Sequence, residues 1–302
     1  MDTHPLGLVL AGGGGKGAYQ IGAWRALIEL GWDSRIQAVS GASVGALNAA
    51  LIGCTDYAQA EALWKSISPL QFLDIDLPLA DGIFSREGLI QLIQRNLDLT
   101  KIASSARQVF ANTSQRNADG SYLARYFQLN HQSPDRILQI LLASSAMPVA
   151  YPSVLLDGQP NLDGGITDNL PIKPLYDIGL RHIVAINIAE EEDLLIPAVY
   201  PGTEFIEILP SRDIGHLLDG TLDFSAQGAR FRMELGYRDT LRTLRAYENG
   251  ELNHPDFMRK AAIEAAADYE QIRVEILHEN LNQNVSQHMN QLDALLKKYG
   301  LD

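Results

Sequence analysis

The sequence predicts an α/β fold: a mostly parallel central sheet flanked by helices in three layers, followed by a helical C-terminal extension. Short apolar segments alternate with stretches of helical periodicity through residues 1–210. These short segments are almost uninterruptedly apolar, as in strands that are covered on both faces. From Thr221 onward the pattern is helical. We therefore expect an α/β domain over residues 1–210 and a mainly helical region over residues 211–302 that packs on it.

The first two predicted strands are each followed by a small-residue turn and a helix. Residues 6–11 form an apolar run that stops at a glycine-rich loop, residues 12–17, and a helical pattern follows. Residues 36–39 form the second strand, which runs into Gly41-Ala42-Ser43-Val44-Gly45, and residues 46–52 favour a helix. The serine turn is therefore expected at the end of the second β-unit.

The middle of the chain carries clear start signals for helices. Asp56 and Ser85 precede helical patterns as caps, and Ser133 precedes a proline and an acid at another helix start. Residues 68–84 mix apolar and acidic side chains without a clear period. We interpret them as a surface excursion, either a lid or membrane-facing loop, or an ordered loop on the core.

The remaining strands and helices follow from turn signals and apolar runs. A hairpin is predicted over residues 107–114 and 121–130, and a short ribbon over residues 154–162 leads into Asp163. Residues 182–188 and 204–209 would complete the sheet. Three helices are predicted beyond it, over residues 224–246, 255–277 and 284–299, the last with a narrow apolar stripe that suits docking on the core or a partner helix.

Composition narrows the possible functions. The 24 basic and 37 acidic residues give a net charge of −13, which disfavours nucleic-acid binding but leaves peripheral contact with a membrane open. The N-terminus lacks the basic and apolar regions of a signal peptide, and no apolar run is long enough to span a membrane. The single cysteine, Cys54, allows no internal disulfide. We expect a cytoplasmic protein, and oligomeric state is left open.

The Gly-x-Ser-x-Gly run between the second strand and its helix is the first chemical signal. Such a run suits a sharp turn that exposes one serine hydroxyl, because side chains at Gly41 or Gly45 would collide across it. Ser43 is therefore a candidate nucleophile. One such run also arises by chance in loops of small residues, so its surroundings must decide.

Two further features accompany this run. The glycine-rich loop would let several N–H groups converge at a helix N-terminus, where they stabilise a negative charge. Gly13 and Gly14 are the favoured donors, with Gly12 and Gly15 nearby, and Lys16 either adds positive potential or is solvated. Asp163 in Asp-Gly-Gly is explained equally well, on local sequence, as a functional acid or as a tight turn.

In this order, the three features resemble the patatin-like phospholipases. The matching residues are the loop at 12–17, the serine run at 41–45 and Asp163-Gly164-Gly165, and the runs at 143–148 and 169–171 are also similar. The resemblance covers residues 5–210. It implies a hydrolase that cleaves lipid esters, namely phospholipids or lysophospholipids, through a Ser43–Asp163 dyad with an oxyanion hole in the glycine loop. It implies neither a metal nor a cofactor.

Other interpretations stay open from the sequence. Asp168 is a rival base in the same loop as Asp163, and a histidine such as His131 or His182 would make a triad. Gly12, Gly14 and Gly17 also fit a dinucleotide-binding fingerprint, although the acid expected after the second strand is replaced by the serine turn. A phosphate-binding P-loop is weaker, because glycine follows Lys16. A non-catalytic member of the fold would act through its helical C-terminus.

Overall fold

The computed structural model describes residues 4–67, 85–148, 150–189, 195–252 and 254–299. The predicted surface excursion at residues 68–84 lies outside these ranges. Within them, no helix combines the length and apolar character needed to cross a bilayer.

A mixed sheet forms the centre of the described structure. Its strand order is β5-β6-β3-β2-β1-β7-β8, and β4 pairs antiparallel with β3 as well. The strands are β1 Leu6–Leu10, β2 Ile36–Gly41, β3 Gln108–Arg116, β4 Tyr122–Gln128, β5 Val154–Leu156, β6 Gln159–Leu162, β7 His182–Ile186 and β8 Glu204–Ile208. The five strands from β3 to β8 along this order are parallel, which confirms the predicted parallel core.

The antiparallel part of the sheet comes from the two predicted hairpins. Strands β3 and β4 pair through the turn at Gly120, and β5 and β6 pair through Asp157 and Gly158, which both have positive φ. Strand β6 then pairs with the end of β3 near Ser114. This pairing brings the residue after β6, Asp163, to the carboxyl edge of the parallel strands.

Nine α-helices lie in the described ranges and flank the sheet. They are α1 Ala18–Glu29, α2 Val44–Cys54, α3 Tyr57–Ser66, α4 Arg86–Asn96, α5 Leu99–Ala103, α6 Pro134–Ser144, α7 Lys173–Asp177, α8 Ala226–Glu248 and α9 Pro255–Tyr299. The predicted caps are present: Asp56, Ser85 and Ser133 accept hydrogen bonds from backbone N–H groups in the first turns of α3, α4 and α6.

Helix α8 packs closely on α1, so the C-terminal region is joined to the α/β core. A Cβ at Gly22 would lie 1.7 Å from the carbonyl oxygen of Met233, and one at Gly236 would lie 2.1 Å from that of Tyr19. Only glycine permits two helices to approach at these points. The division of the chain at residue 210 stays a prediction.

The last two predicted helices are one helix in the structure. Helix α9 runs continuously over 45 residues, whereas the sequence patterns predicted a break between residues 277 and 284. That prediction is wrong because the intervening residues include neither glycine nor proline, so nothing ends the helix. Val285 and Met289 of the predicted apolar stripe are 60% and 52% exposed, so these two side chains are not docked on the core.

Candidate active site

Ser43 occupies the strained turn that the sequence predicts between β2 and α2. Its backbone has φ 54° and ψ −124°, a region that non-glycine residues rarely adopt. The turn is tight, because a Cβ at Gly41 would lie 2.1 Å from the carbonyl oxygen of Gly45. A Cβ at Gly45 would lie 2.2 Å from the carbonyl oxygen of Leu10. These glycines let α2 begin directly at the end of the strand, which presents the serine at the edge of the sheet.

The Ser43 hydroxyl donates a hydrogen bond to Asp163, as expected for a nucleophile and its base. The distance from Oγ to Asp163 Oδ2 is 2.6 Å. The backbone N–H of Ser43 donates to the hydroxyl of Ser144, at 3.0 Å, which fixes the turn from the side of α6. Two residues that are 120 positions apart in the chain are thus in direct contact.

Asp163 is held from three directions. Its N–H donates to the carbonyl oxygen of Ala146 at 3.0 Å, and its own carbonyl oxygen accepts from Ser114 Oγ at 2.7 Å. The second carboxylate oxygen, Oδ1, accepts from the N–H of Gly165 at 2.9 Å. Both carboxylate oxygens therefore have defined partners, and Oδ2 points to Ser43.

The environment of Asp163 raises its basicity. The residue is only 7% exposed, and burial raises the pKa of its carboxyl group from 3.8 to about 6. The hydrogen bonds from Ser43 and Gly165 act in the opposite direction, since they stabilise the ionised form. The result is a carboxylate that is ionised at neutral pH and is a stronger base than an exposed aspartate.

The glycine loop lies beside Ser43, and its first N–H group is already engaged. Gly12 N donates to the side-chain oxygen of Asn169 at 3.1 Å and to its main-chain oxygen at 3.2 Å. Gly13 and Gly14 line the cavity that contains Ser43 and Asp163. No acceptor in the described ranges takes the N–H of Gly13 or Gly14. Lys16 is buried, with 5% of its surface exposed, and is not the solvated residue that one interpretation expected.

Ser43 and Asp163 lie at a cavity of about 200 Å³ with mostly apolar walls. Helices α2, α3 and α4 supply much of the wall, and Trp64 stacks on Phe224 with ring centroids 6.3 Å apart. The lining residues include Leu47, Leu51, Leu63, Trp64, Ile67, Leu89, Leu92, Met147, Ala150, Tyr151, Thr221, Leu222 and Phe224. The volume is more than tenfold that needed for one water molecule, about 15 Å³. The cavity therefore suits an apolar chain.

Asp168 and the histidines are the rival candidates for the base. The carboxylate of Asp168 accepts a hydrogen bond from the hydroxyl of Tyr126 at 2.7 Å. None of the histidines in the described ranges lines the cavity. His182 contacts Glu204, with Nδ1 and Oε2 3.0 Å apart, and stacks on His4. Among the described residues no group of three or more His, Cys, Asp or Glu side chains could hold a metal ion.

Sequence reasoning missed several residues that build the site. Asn169 anchors Gly12, and Asn112 donates to the carbonyl oxygens of Gly164, at 3.1 Å, and Asp168, at 2.7 Å. The hydroxyl oxygen of Ser144 accepts a hydrogen bond from the backbone N–H of Ser43. The runs that contain Ser144 and Asn169 were noticed in the sequence, but no local pattern assigned these contacts. The sequence pattern around Asn112 predicts only a strand and does not indicate a role in the site.

The packing on the glycine loop bears on the dinucleotide interpretation. A Cβ at Gly14 would lie 2.2 Å from the carbonyl oxygen of Thr221, and one at Gly15 would lie 2.1 Å from that of Asp223. The side of the loop at Gly14 and Gly15 therefore packs against backbone carbonyl oxygens. A bound pyrophosphate requires N–H donors there, so this face of the loop does not suit one.

Comparisons with known proteins agree with this geometry. A model of the family described as patatin-like phospholipase matches residues 8–176, more than half of the chain. The neuropathy target esterase sws of Drosophila melanogaster is 29% identical over 207 residues, which are 64% of this chain and 13% of that protein. Lysophospholipase NTE1 of Scheffersomyces stipitis is 26% identical over 200 residues, 64% of this chain and 12% of that protein. The chain thus spans about an eighth of these relatives.

A solved structure shows the same fold over the whole chain. VipD from Legionella pneumophila superposes with a TM-score of 0.53 and 15% sequence identity, covering 100% of this chain and 81% of that one. At this identity the likeness concerns the fold alone. The family model, however, spans the glycine loop, Ser43 and Asp163 together. The chain therefore belongs to the patatin-like phospholipase family, which confirms the resemblance read from its motifs.

Proposed function

We propose that this protein is a serine hydrolase that cleaves carboxylic ester bonds of lipids, with Ser43 as nucleophile and Asp163 as its base. The observation that carries the proposal is the 2.6 Å hydrogen bond from Ser43 Oγ to a buried carboxylate beside an apolar cavity. Phospholipids and lysophospholipids are the proposed substrates. The names of the two relatives, an esterase and a lysophospholipase, support this class.

In the first half of the reaction, Ser43 Oγ attacks the ester carbonyl carbon and Asp163 Oδ2 takes the hydroxyl proton. The carbonyl oxygen becomes an oxyanion in the tetrahedral intermediate. As this intermediate collapses, the bond to the alcohol oxygen breaks and the proton passes from Asp163 to that oxygen. An acyl group on Ser43 and a free alcohol result.

In the second half, water replaces the alcohol. The water oxygen attacks the acyl carbon while Asp163 takes a proton from the water. Asp163 then gives this proton to Ser43 Oγ as the bond between Oγ and the acyl carbon breaks. The products are a fatty acid and the free serine. One carboxylate serves as base and acid in both halves, so no histidine is needed.

We assign the oxyanion hole to the N–H groups of Gly13 and Gly14, which border the cavity. Each such donor lowers the barrier by roughly 3 kcal/mol. Gly12, whose N–H donates to Asn169, acts by holding the loop in place. Gly15 continues the loop, and the buried Lys16 supplies positive potential behind it.

A fluorophosphonate probe tests the dyad directly, because it reacts with an activated serine. We expect labelling of the wild-type protein, and loss of both labelling and ester hydrolysis in Ser43→Ala and Asp163→Asn. Asp168→Asn is the matched control, since its carboxylate lies in the same loop but contacts Tyr126. Labelling that survives Ser43→Ala would overturn the proposal. If Asp168→Asn abolished labelling and hydrolysis while Asp163→Asn retained them, the base would be Asp168.

We also propose that the substrate is taken from a lipid surface through Leu217 and Leu218. These neighbours are 57% and 79% exposed, and the carbonyl oxygen of Leu217 accepts from the N–H of the cavity residue Leu222 at 2.9 Å. The acids Asp213 and Asp219 flank them. Because these carboxylates repel anionic headgroups, the expected surface is zwitterionic.

Vesicles of phosphatidylcholine test this contact. We expect Leu217→Ser with Leu218→Ser to weaken vesicle binding roughly tenfold, as apolar burial is lost, with hydrolysis of a short soluble ester unchanged. Leu281→Ser is the matched control, since Leu281 is 52% exposed on α9. Equal effects of the control and the double variant would contradict the assignment, and so would preferential binding to phosphatidylglycerol.

A further inference from the structure

We propose that Arg232, in the C-terminal region, is a positioning residue for the oxyanion hole. Arg232 lies on α8, outside the residues that the family model matches. It acts through the chain segment at residues 214–223, which packs on the glycine loop. This inference rests on the proposed role of that loop in catalysis.

The Arg232 guanidinium is buried and all its described contacts hold the 214–223 segment. Nε donates to the carbonyl oxygen of Ile214 at 3.1 Å, and one terminal nitrogen donates to that of Asp223 at 2.9 Å. The other terminal nitrogen donates to the carbonyl oxygen of Asp219 at 2.6 Å and to the Asp223 carboxylate at 2.9 Å. Only 3% of the residue is exposed. One planar group thereby fixes three points along the segment.

The same segment forms one side of the glycine loop. A Cβ at Gly15 would lie 2.1 Å from the carbonyl oxygen of Asp223 and 2.7 Å from that of Gly220. The Asp223 carbonyl oxygen is therefore both an acceptor for Arg232 and a direct neighbour of Gly15. Asp223 thus links the buried guanidinium to the loop that carries the proposed donors.

The two sides of the loop are held differently. Asn169 fixes Gly12 by hydrogen bonds, whereas on the other side Gly14 and Gly15 pack closely against the segment. Packing fixes a backbone only if its partner is itself rigid, and here Arg232 supplies that rigidity. An oxyanion donor displaced by about 1 Å costs roughly 100-fold in rate. Loosening the segment should therefore reduce catalysis more than substrate binding.

The test compares Arg232→Gln with Arg238→Gln, using the 302-residue chain and a soluble ester. Arg238 lies on the same helix with its side chain 14% exposed, and its ion-pair partners Glu234, Asp268 and Glu275 lie on α8 and α9. We expect both variants to lose thermal stability. Only Arg232→Gln should lower kcat, roughly 10- to 100-fold, with KM changed by less than about threefold.

A second variant keeps the proposal testable if Arg232→Gln fails to fold. Arg232→Lys retains the charge but loses the planar fork, so we expect kcat between those of the wild type and Arg232→Gln. The inference is overturned if kcat stays at the wild-type value in the Arg232 variants, or if Arg238→Gln lowers kcat equally. Failure of the proposed function would appear separately, as probe labelling that does not depend on Ser43.

Discussion

The pH dependence of ester hydrolysis should follow the ionisation of Asp163. Burial raises the pKa of this carboxyl group from 3.8 to about 6, and the proposed base must be ionised to accept the proton of Ser43. At about pH 5 only about one tenth of the protein then carries the active form. We therefore expect kcat/KM to rise about tenfold from pH 5 to neutral pH, with a midpoint near 6.

The same shift makes a prediction for stability. A raised pKa means that the folded state binds this proton more tightly than the unfolded state does. The resulting stabilisation is complete below about pH 4 and is lost as pH rises through about 6. The shift from 3.8 to about 6 corresponds to about 3 kcal/mol of unfolding free energy. Asp163→Asn cannot titrate, so the pH dependence of its stability should lack this component.

Two measurements test these expectations. Initial rates with a short soluble ester give the kinetic midpoint, and urea unfolding of the wild type and Asp163→Asn across the same pH values gives the difference in stability. A kinetic midpoint near 4 would mean that Asp163 is not desolvated. A midpoint that survives in Asp163→Asn but disappears in a histidine variant would assign the base to that histidine and refute the dyad.

Three further predictions concern the frame of the site. Asn169→Ala removes the side-chain acceptor of Gly12, and kcat should fall about tenfold in steady-state assays with KM little changed. Ser144→Ala leaves the N–H of Ser43 without its acceptor, and chemical denaturation should show a loss of about 1 kcal/mol. Gly45→Ala places a methyl group against a backbone carbonyl, and thermal unfolding should show a loss of about 3 kcal/mol. An unchanged value in any of these assays would contradict the corresponding contact.

Local chemistry explains which features were predictable. The turn at Ser43 needs small residues on both sides, helix caps need short oxygen-bearing side chains, and a two-residue hairpin turn needs positive φ. Each of these constraints acts within a few residues, so it leaves a local pattern. The serine turn, the caps and both hairpins were accordingly predicted, and the glycine loop lies where its pattern placed it.

Contacts between distant parts of the chain left no such pattern. Asn112, on β3, supports the loop after β6 because those strands pair, and Arg232 contacts residues 9, 13 and 18 positions before it in the chain. The predicted break in α9 failed for a different reason. A weak periodicity was interpreted as two helices, although no residue between them opposes helix formation.

A serine–aspartate pair works as a catalyst only if burial and hydrogen bonding of the acid are balanced. An exposed aspartate is too weak a base at neutral pH, whereas a fully desolvated one would stay protonated and could not accept a proton. Asp163 lies between these limits, because burial raises its pKa and the donors Ser43 and Gly165 limit the rise. The Gly165 bond depends on the glycine turn that follows Asp163, and Asn112 lies where a side chain at Gly164 would point. The glycines after Asp163 therefore serve the basicity of the carboxylate as well as the geometry of the turn.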